Sequence, residues 1–218
     1  SIALYESHGD ARSAARVSGR LATVEGWQGK TSTAVPRAEA AFATLEGYEP
    51  GEELAGLATT LAGAYLFTGR QPEALEKAEL ALGLAQELDS PETLVRAFAA
   101  KALVIHGRRP EEVIALRRHQ LALAREHELT ELEVNALFNL SDECFKRDRY
   151  HEALAYLTDA LSSARRQGSR PGEWSVLGET SYPLLMLGRW DEALAAFAEV
   201  PDERLLEGTT DSFLTSLA

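Results

Sequence analysis

Leu137-Phe138-Asn139-Leu140-Ser141-Asp142-Glu143-Cys144-Phe145-Lys146-Arg147-Asp148-Arg149-Tyr150-His151-Glu152-Ala153-Leu154-Ala155-Tyr156-Leu157-Thr158-Asp159-Ala160-Leu161-Ser162-Ser163-Ala164-Arg165-Arg166 is the stretch from which the fold can be read. It reads as two amphipathic helices joined by a tight polar turn at residues 146–149. Small residues stand where the two helices must touch, Ser141 on the first and Ala153 and Ala160 on the second. Leu137, Leu140, Cys144, Tyr150 and Leu157 fill in around them. Antiparallel helices approach to about 8–10 Å only where the facing side chains are small. The spacing therefore encodes a helix–turn–helix unit that needs neighbours to cover its apolar face.

Outward from this unit, the turn signal repeats. Gly29-Lys30, Gly69-Arg70, Gly107-Arg108, Arg147-Asp148 and Gly188-Arg189 follow one another at steps of 40, 38, 40 and 41 residues. An apolar helix follows each, as in Gln71-Pro72-Glu73-Ala74-Leu75, Pro110-Glu111-Glu112-Val113 and Trp190-Asp191-Glu192-Ala193-Leu194. Proline in the first helical positions with acids in the first turn is how a helix start is written. The pattern predicts helices over 11–28, 31–46, 53–68, 71–88, 91–106, 110–127, 131–146, 150–167, 172–187 and 190–199. A somewhat longer connection falls at 47–51, and strand signals with strict alternation are missing. Within the third full unit, Gln120 stands at the expected small position with Arg117 and Arg118 nearby. That departure leaves two readings, a helix sitting further out or a register slipped by one residue.

A fixed period of helix–turn–helix units resembles the tetratricopeptide repeat, with a step of about 40 residues that lengthens the second helix of each pair. The resemblance implies an all-α, TPR-like α-solenoid, a right-handed superhelix of antiparallel helix pairs. A single repeat domain over 1–218 is expected. Partial helices at 1–8 and 210–218 suggest a piece excised from a longer array. Further segments narrow the likeness: residues 14–22, Asn139-Leu140-Ser141-Asp142, Arg147-Asp148-Arg149-Tyr150 and residues 187–194. Together they resemble the C-terminal tetratricopeptide region of bacterial signalling ATPases. These are the adenylate cyclase-linked enzymes and the LuxR-type or maltose-activator-type regulators. The resemblance implies a non-catalytic regulatory role in signalling or transcription regulation, with the ATPase and output residues outside this stretch.

Composition bounds the remaining options. The chain carries 22 basic and 34 acidic residues, a net charge of −12. There are 11 basic against 14 acidic residues up to Arg109 and 11 against 20 beyond it. An acidic surface argues against phosphate-backbone binding and favours neutral or basic partners. One cysteine, Cys144, rules out an internal disulfide and suits a reducing compartment. The longest uncharged run, residues 54–69, is too short and too rich in Gly and Thr for a comfortable membrane span. The expectation is a cytoplasmic chain with no membrane and no nucleic-acid contact.

Motifs for chemistry are weak. Gly29-Lys30-Thr31 looks like the end of a phosphate-binding loop, but Val24 stands where that loop needs glycine and the preceding segment reads as helix. His8, His106, His119, His127 and His151 show no i,i+4 pairing, so no metal site is expected. No Gly-x-Ser-x-Gly elbow occurs, and no nucleophile–base set is compact in sequence. Arg108, Arg109, Arg117, Arg118 and Arg125 form one basic concentration without aromatic residues for base stacking. The chain is read as not an enzyme and without cofactors.

The surface that remains is the inner one. In tetratricopeptide arrays the first helix of each pair lines a concave groove, and partners lie there. The repeat register puts Thr23, Trp27, Thr59, Phe67, Lys101, Asn135, Asn139, Asp142, Lys146, Tyr182 and Met186 on that face. Asn135, Asn139 and Asp142 are spaced i, i+4 and i+7, one polar stripe on one helix face. Such asparagines can pair with the backbone of a bound chain. The expected partner is a protein or peptide, including neighbouring domains of the parent chain, with a homodimer through the array ends as a further possibility. A small molecule or short peptide held in an apolar pocket near Trp27, Phe67 or Tyr182 is the alternative. The Lys/Asn arrangement by which some tetratricopeptide proteins clamp a terminal carboxylate is not reproduced.

Overall fold

A computed structural model describes residues 2–200, except for the side chain of Trp27. Among the described residues every regular element is a helix: α1 Ile2–Ser7, α2 Ala11–Trp27, α3 Thr31–Leu45, α4 Glu52–Phe67, α5 Gln71–Glu87, α6 Pro91–Ile105, α7 Pro110–Glu126, α8 Thr130–Phe145, α9 Tyr150–Gln167, α10 Arg170–Met186 and α11 Trp190–Ala198. The period-based boundaries hold to within two residues. Residues 1–8 were expected to carry helix, and α1 lies there; the helix expected at 210–218 lies outside the described residues. Consecutive helices pack as neighbours, α2 on α3, α4 on α5, α8 on α9 and α10 on α11, which is the antiparallel-pair architecture of a TPR-like helical repeat.

The turns explain the compact pairing. Nine of the inter-helix connections carry one residue in the left-handed region: Gly9, Gly29, Gly69, Asp89, Gly107, Glu128, Asp148, Gly168 and Gly188. At Gly69, the Gly69 N–H donates to Leu66 O (3.1 Å) and the Arg70 N–H to Tyr65 O (2.8 Å). These two bonds satisfy carbonyls that the end of α4 would leave orphaned, the Schellman arrangement. At Gly69, Asp148 and Gly188 the residue after the left-handed one is already the N-cap of the next helix, Arg70, Arg149 and Arg189 in turn. Arginine there opposes the helix dipole, and a glutamate three residues on offsets it through Arg70–Glu73, Arg149–Glu152 and Arg189–Glu192 ion pairs.

Glu128 is the costly case, an exposed long side chain held at φ 55°. Left-handed backbone costs an L-residue about 1–2 kcal/mol, and glycine's extra freedom in the unfolded chain returns part of that. Glu128→Gly is therefore expected to stabilise the chain by about 0.5–1 kcal/mol in urea titration. Asp148→Gly should gain less, because aspartate tolerates this conformation and its carboxylate accepts the Tyr150 hydroxyl.

The chain divides into two compact units, Ser1–Leu123 and Ala124–Ala218. In the first, Phe42, Leu54, Leu57, Leu61 and Tyr65 pack among buried alanines on the second helices, Ala34, Ala38 and Ala41 on α3 and Ala74, Ala78, Ala81 and Ala85 on α5. Gly19 brings α2 close to α4: a Cβ there would sit 2.7 Å from Leu57 Cδ2. Tyr65 donates its hydroxyl to Glu39 of α3 (2.8 Å), and Arg70 donates to the same oxygen (2.8 Å) while lying over the Tyr65 ring. The Arg70 and Tyr65 bonds hold the Glu39 carboxyl below its usual range. Burial, then Glu39, pushes Tyr65 up to about 12.

In the second unit, Leu137, Leu140, Ser141 and Cys144 of α8 are buried with Ala153, Leu157, Ala160 and Ala164 of α9. The repeat period also writes an ion triad twice. Arg125 reaches Glu133 of α8 (2.9 Å) and Asp159 of α9 (3.1 Å). Arg165, at the matching place in the next repeat, reaches Glu173 of α10 (2.7 Å) and Glu199 (3.0 Å). One guanidinium thus ties three successive helices. The Arg165 bond holds the Glu173 carboxyl low, so this contribution is present at neutral pH and fades as pH falls through its folded-state value.

Candidate functional site

The first-helix face of the second unit gathers most of the sequence-derived residues. Asn135, Asn139 and Asp142 follow one another along α8, and Lys146 caps its end. The Asn139 side-chain amide donates to the Asn135 carbonyl (2.7 Å), so it is folded back on its own helix. Lys146 Nζ donates to Asp142 Oδ2 at 2.6 Å. Tyr182 of α10 stands beside α8, its ring centroid 6.2 Å from Phe145, and Phe145 in turn packs on Tyr150 at 5.3 Å. Met186 ends α10 and is exposed.

One residue of this face escaped the sequence reading. Glu179 of α10 is half-buried, and among the described residues its carboxylate has no hydrogen-bond or ion-pair partner. Burial pushes its carboxyl above the usual range, and the charge of Asp142 on α8 adds to the rise. The repeat register could have found it, because Glu179 lies one 40-residue step beyond Asn139. What the register could not supply was its burial. Pro183 contributes as well: lacking an N–H, it leaves the Glu179 backbone carbonyl without its helical donor at i+4.

A carboxyl raised in the folded state binds more protons there than in the unfolded chain, so stability falls as pH rises through that window. Glu179→Gln is accordingly expected to raise the thermal midpoint near pH 7, with the gain vanishing near pH 3, where both states hold the proton. Paired melts at the two pH values check the sign.

The other candidates are in the first unit. Thr23 Oγ1 lies 3.2 Å from Gly19 O and 3.1 Å from Thr60 Oγ1, joining α2 to α4. Thr59 donates to Ala55 O within its own helix. Lys101 is committed to Glu79 of α5 at 3.0 Å. Phe67 ends α4 with 78% of its surface exposed, and the Trp27 side chain lies outside the described residues. A hollow of about 10 Å³ bordered by Arg12, Tyr48 and Glu53 has room for little beyond a single water.

The basic concentration on α7 does not form an open stripe. Arg117 is buried, Arg109 pairs with Glu112, and Arg125 belongs to the triad with Glu133 and Asp159. Gln120 lies in register with Ala81 of α5 and Ala160 of α9 and is wholly buried, accepting a bond from Arg117 (3.0 Å). Among the described residues there is no grouping of three or more His, Cys, Asp and Glu suited to a metal ion. No helix of the described residues is long and apolar enough to cross a membrane.

No protein-family model matches this sequence, and no curated protein matches it. Solved structures do resemble it in fold. BtubC (BKLC) from P. vanneervenii superposes with a TM-score of 0.70 at 18% identity, over 89% of this chain and 81% of that one. A Rap protein complexed with competence and sporulation factor gives 0.76 at 18% identity, over 89% of this chain and 55% of its own. A Signal Transduction ATPase with Numerous Domains from Pyrococcus horikoshii, with a tetratricopeptide repeat sensor, gives 0.71 at 16% identity. That match covers 86% of this chain but 30% of the ATPase. At these identities the likeness is one of fold: helical repeats of the tetratricopeptide kind.

Proposed function

We propose that this chain is a non-catalytic, protein-interaction scaffold of regulatory type, whose α8–α10 face binds a peptide or an extended segment of a partner protein. The observation that carries this is the polar face of the exposed Asn135 and the half-buried Asn139, Asp142, Glu179 and Tyr182, which lies beside a tightly packed core. A carboxylate kept partly desolvated without a partner costs stability, and such a cost is retained where a ligand repays it. Support comes from two neighbours in fold, a Rap protein seen with competence and sporulation factor and an ATPase whose repeats are described as a sensor. By analogy with them, the parent protein would be a signalling or transcription regulator of the cytoplasm. Partner binding would then bias its switch.

The test is selection of random dodecapeptides against the chain, followed by amide-shift mapping with the selected sequences. Binding is expected to shift the amides of residues 135–146 and 179–186. Failure to select any peptide, or shifts confined to other helices, would overturn the reading.

A further inference from the structure

Every donor whose bond can be traced on the α8–α10 face is already spent within the protein. The Asn139 amide donates to Asn135, and the Lys146 ammonium donates to Asp142. The acceptors are in surplus. Asp142 offers a second carboxylate oxygen beyond the one that Lys146 takes, and Glu179 brings a whole carboxylate with no partner among the described residues. Two carboxylates from different helices, one of them half-buried, lie near enough for the charge of Asp142 to act on Glu179, and Lys146 pairs with Asp142. A ligand that satisfies this face must bring N–H donors and positive charge.

We infer that the face receives a lysine or arginine side chain of the bound peptide, seated against Asp142 and Glu179 with Tyr182 beside it. This rests on the peptide-binding reading above and names the chemistry of its partner. A cation there converts two mutually repelling carboxylates into a charge-assisted cluster, in a site already drier than open surface. The Tyr182 ring, set edgewise against Phe145, gives the aliphatic stem of the residue an apolar wall. Glutamate or an apolar residue at that position would bring no donor and leave Glu179 desolvated and unpaired.

Deep sequencing of the selected dodecapeptides separates the two levels. The wild-type chain, Glu179→Gln and a charge-matched control, Glu131→Gln on the exposed part of α8, are panned in parallel at physiological salt. The inference expects Lys or Arg enrichment at one peptide position for the wild type and the control, and its loss for Glu179→Gln. The best peptide should then bind Glu179→Gln about tenfold more weakly. Replacing its basic residue by norleucine or citrulline should cost about the same, and the two changes together should cost no more than either alone. Peptides that map to α8 and α10 without basic enrichment, or with enrichment equal in all three chains, would overturn this inference and leave the scaffold reading standing. Selection of no peptide at all would overturn both.

Discussion

Leu140→Ala is expected to cost about 2–5 kcal/mol, the range for a fully buried leucine whose surroundings cannot collapse into the space. Leu140 has no exposed surface and sits on α8 between Ala136 and Cys144, all three packed inside the second unit. The second helix opposite offers Ala153, Leu157, Ala160 and Ala164, mostly small side chains that have nothing to reach with. A cavity there should persist, which places the cost towards the upper part of the range. The neighbouring change Asn139→Ala should stay within about 0.5 kcal/mol, since it removes a partly exposed amide bonded to its own helix. Urea titrations of the two variants, followed by circular dichroism, check the contrast. A small loss for Leu140→Ala would mean that α8 and α9 are not the tight pair described here. The same contrast licenses the binding experiments: substitutions on the polar face leave the scaffold intact, so a lost ligand reports the site and not unfolding.

The contrast also shows where the sequence is legible. Alternation of apolar and polar positions along residues 137–166 is dictated by which face of each helix touches its partner, so period and core could be read together. Turns at Gly29, Gly69, Gly107 and Gly188 were equally plain, because only glycine adopts the left-handed conformation at no cost. The turns at Asp89 and Glu128 carry no such mark; there the helix period alone placed the boundaries, and the conformation of the turn residue emerged only from the fold. Site residues were legible as a register, not as an environment. Lys101 was placed on the inner face by its spacing, yet its charge is taken up by Glu79 of the preceding helix. Glu179 was one repeat step from Asn139 and passed unnoticed, since what distinguishes it is partial burial beside Asp142. Burial of a charge arises from helices packing on one another, and no local pattern in one of them records it.

Gln120→Leu should lose about 3 kcal/mol, although leucine is the more apolar residue and the position is wholly buried. The stripe on each second helix runs through four register positions: Ala74, Ala78, Ala81 and Ala85 on α5, and Ala153, Leu157, Ala160 and Ala164 on α9. On α7 the same positions hold Val113, Arg117, Gln120 and Ala124, all buried. Gln120 therefore keeps the register, and the sequence anomaly is a buried polar pair set into an apolar stripe. Its side-chain oxygen accepts from Arg117 Nη1, itself 5% exposed. Leucine would remove that acceptor from beside a buried guanidinium, and weakening the hydrogen bonding of a buried charge costs more than the transfer of a few methylenes returns. Glutamate at the same place would keep an acceptor and add the opposite charge, so Gln120→Glu should lose much less than Gln120→Leu. The comparison separates keeping an acceptor at this position from losing it. If leucine proved neutral or stabilising in thermal and urea unfolding, burial of Arg117 would owe nothing to Gln120, and α7 would behave as an ordinary apolar second helix despite its sequence.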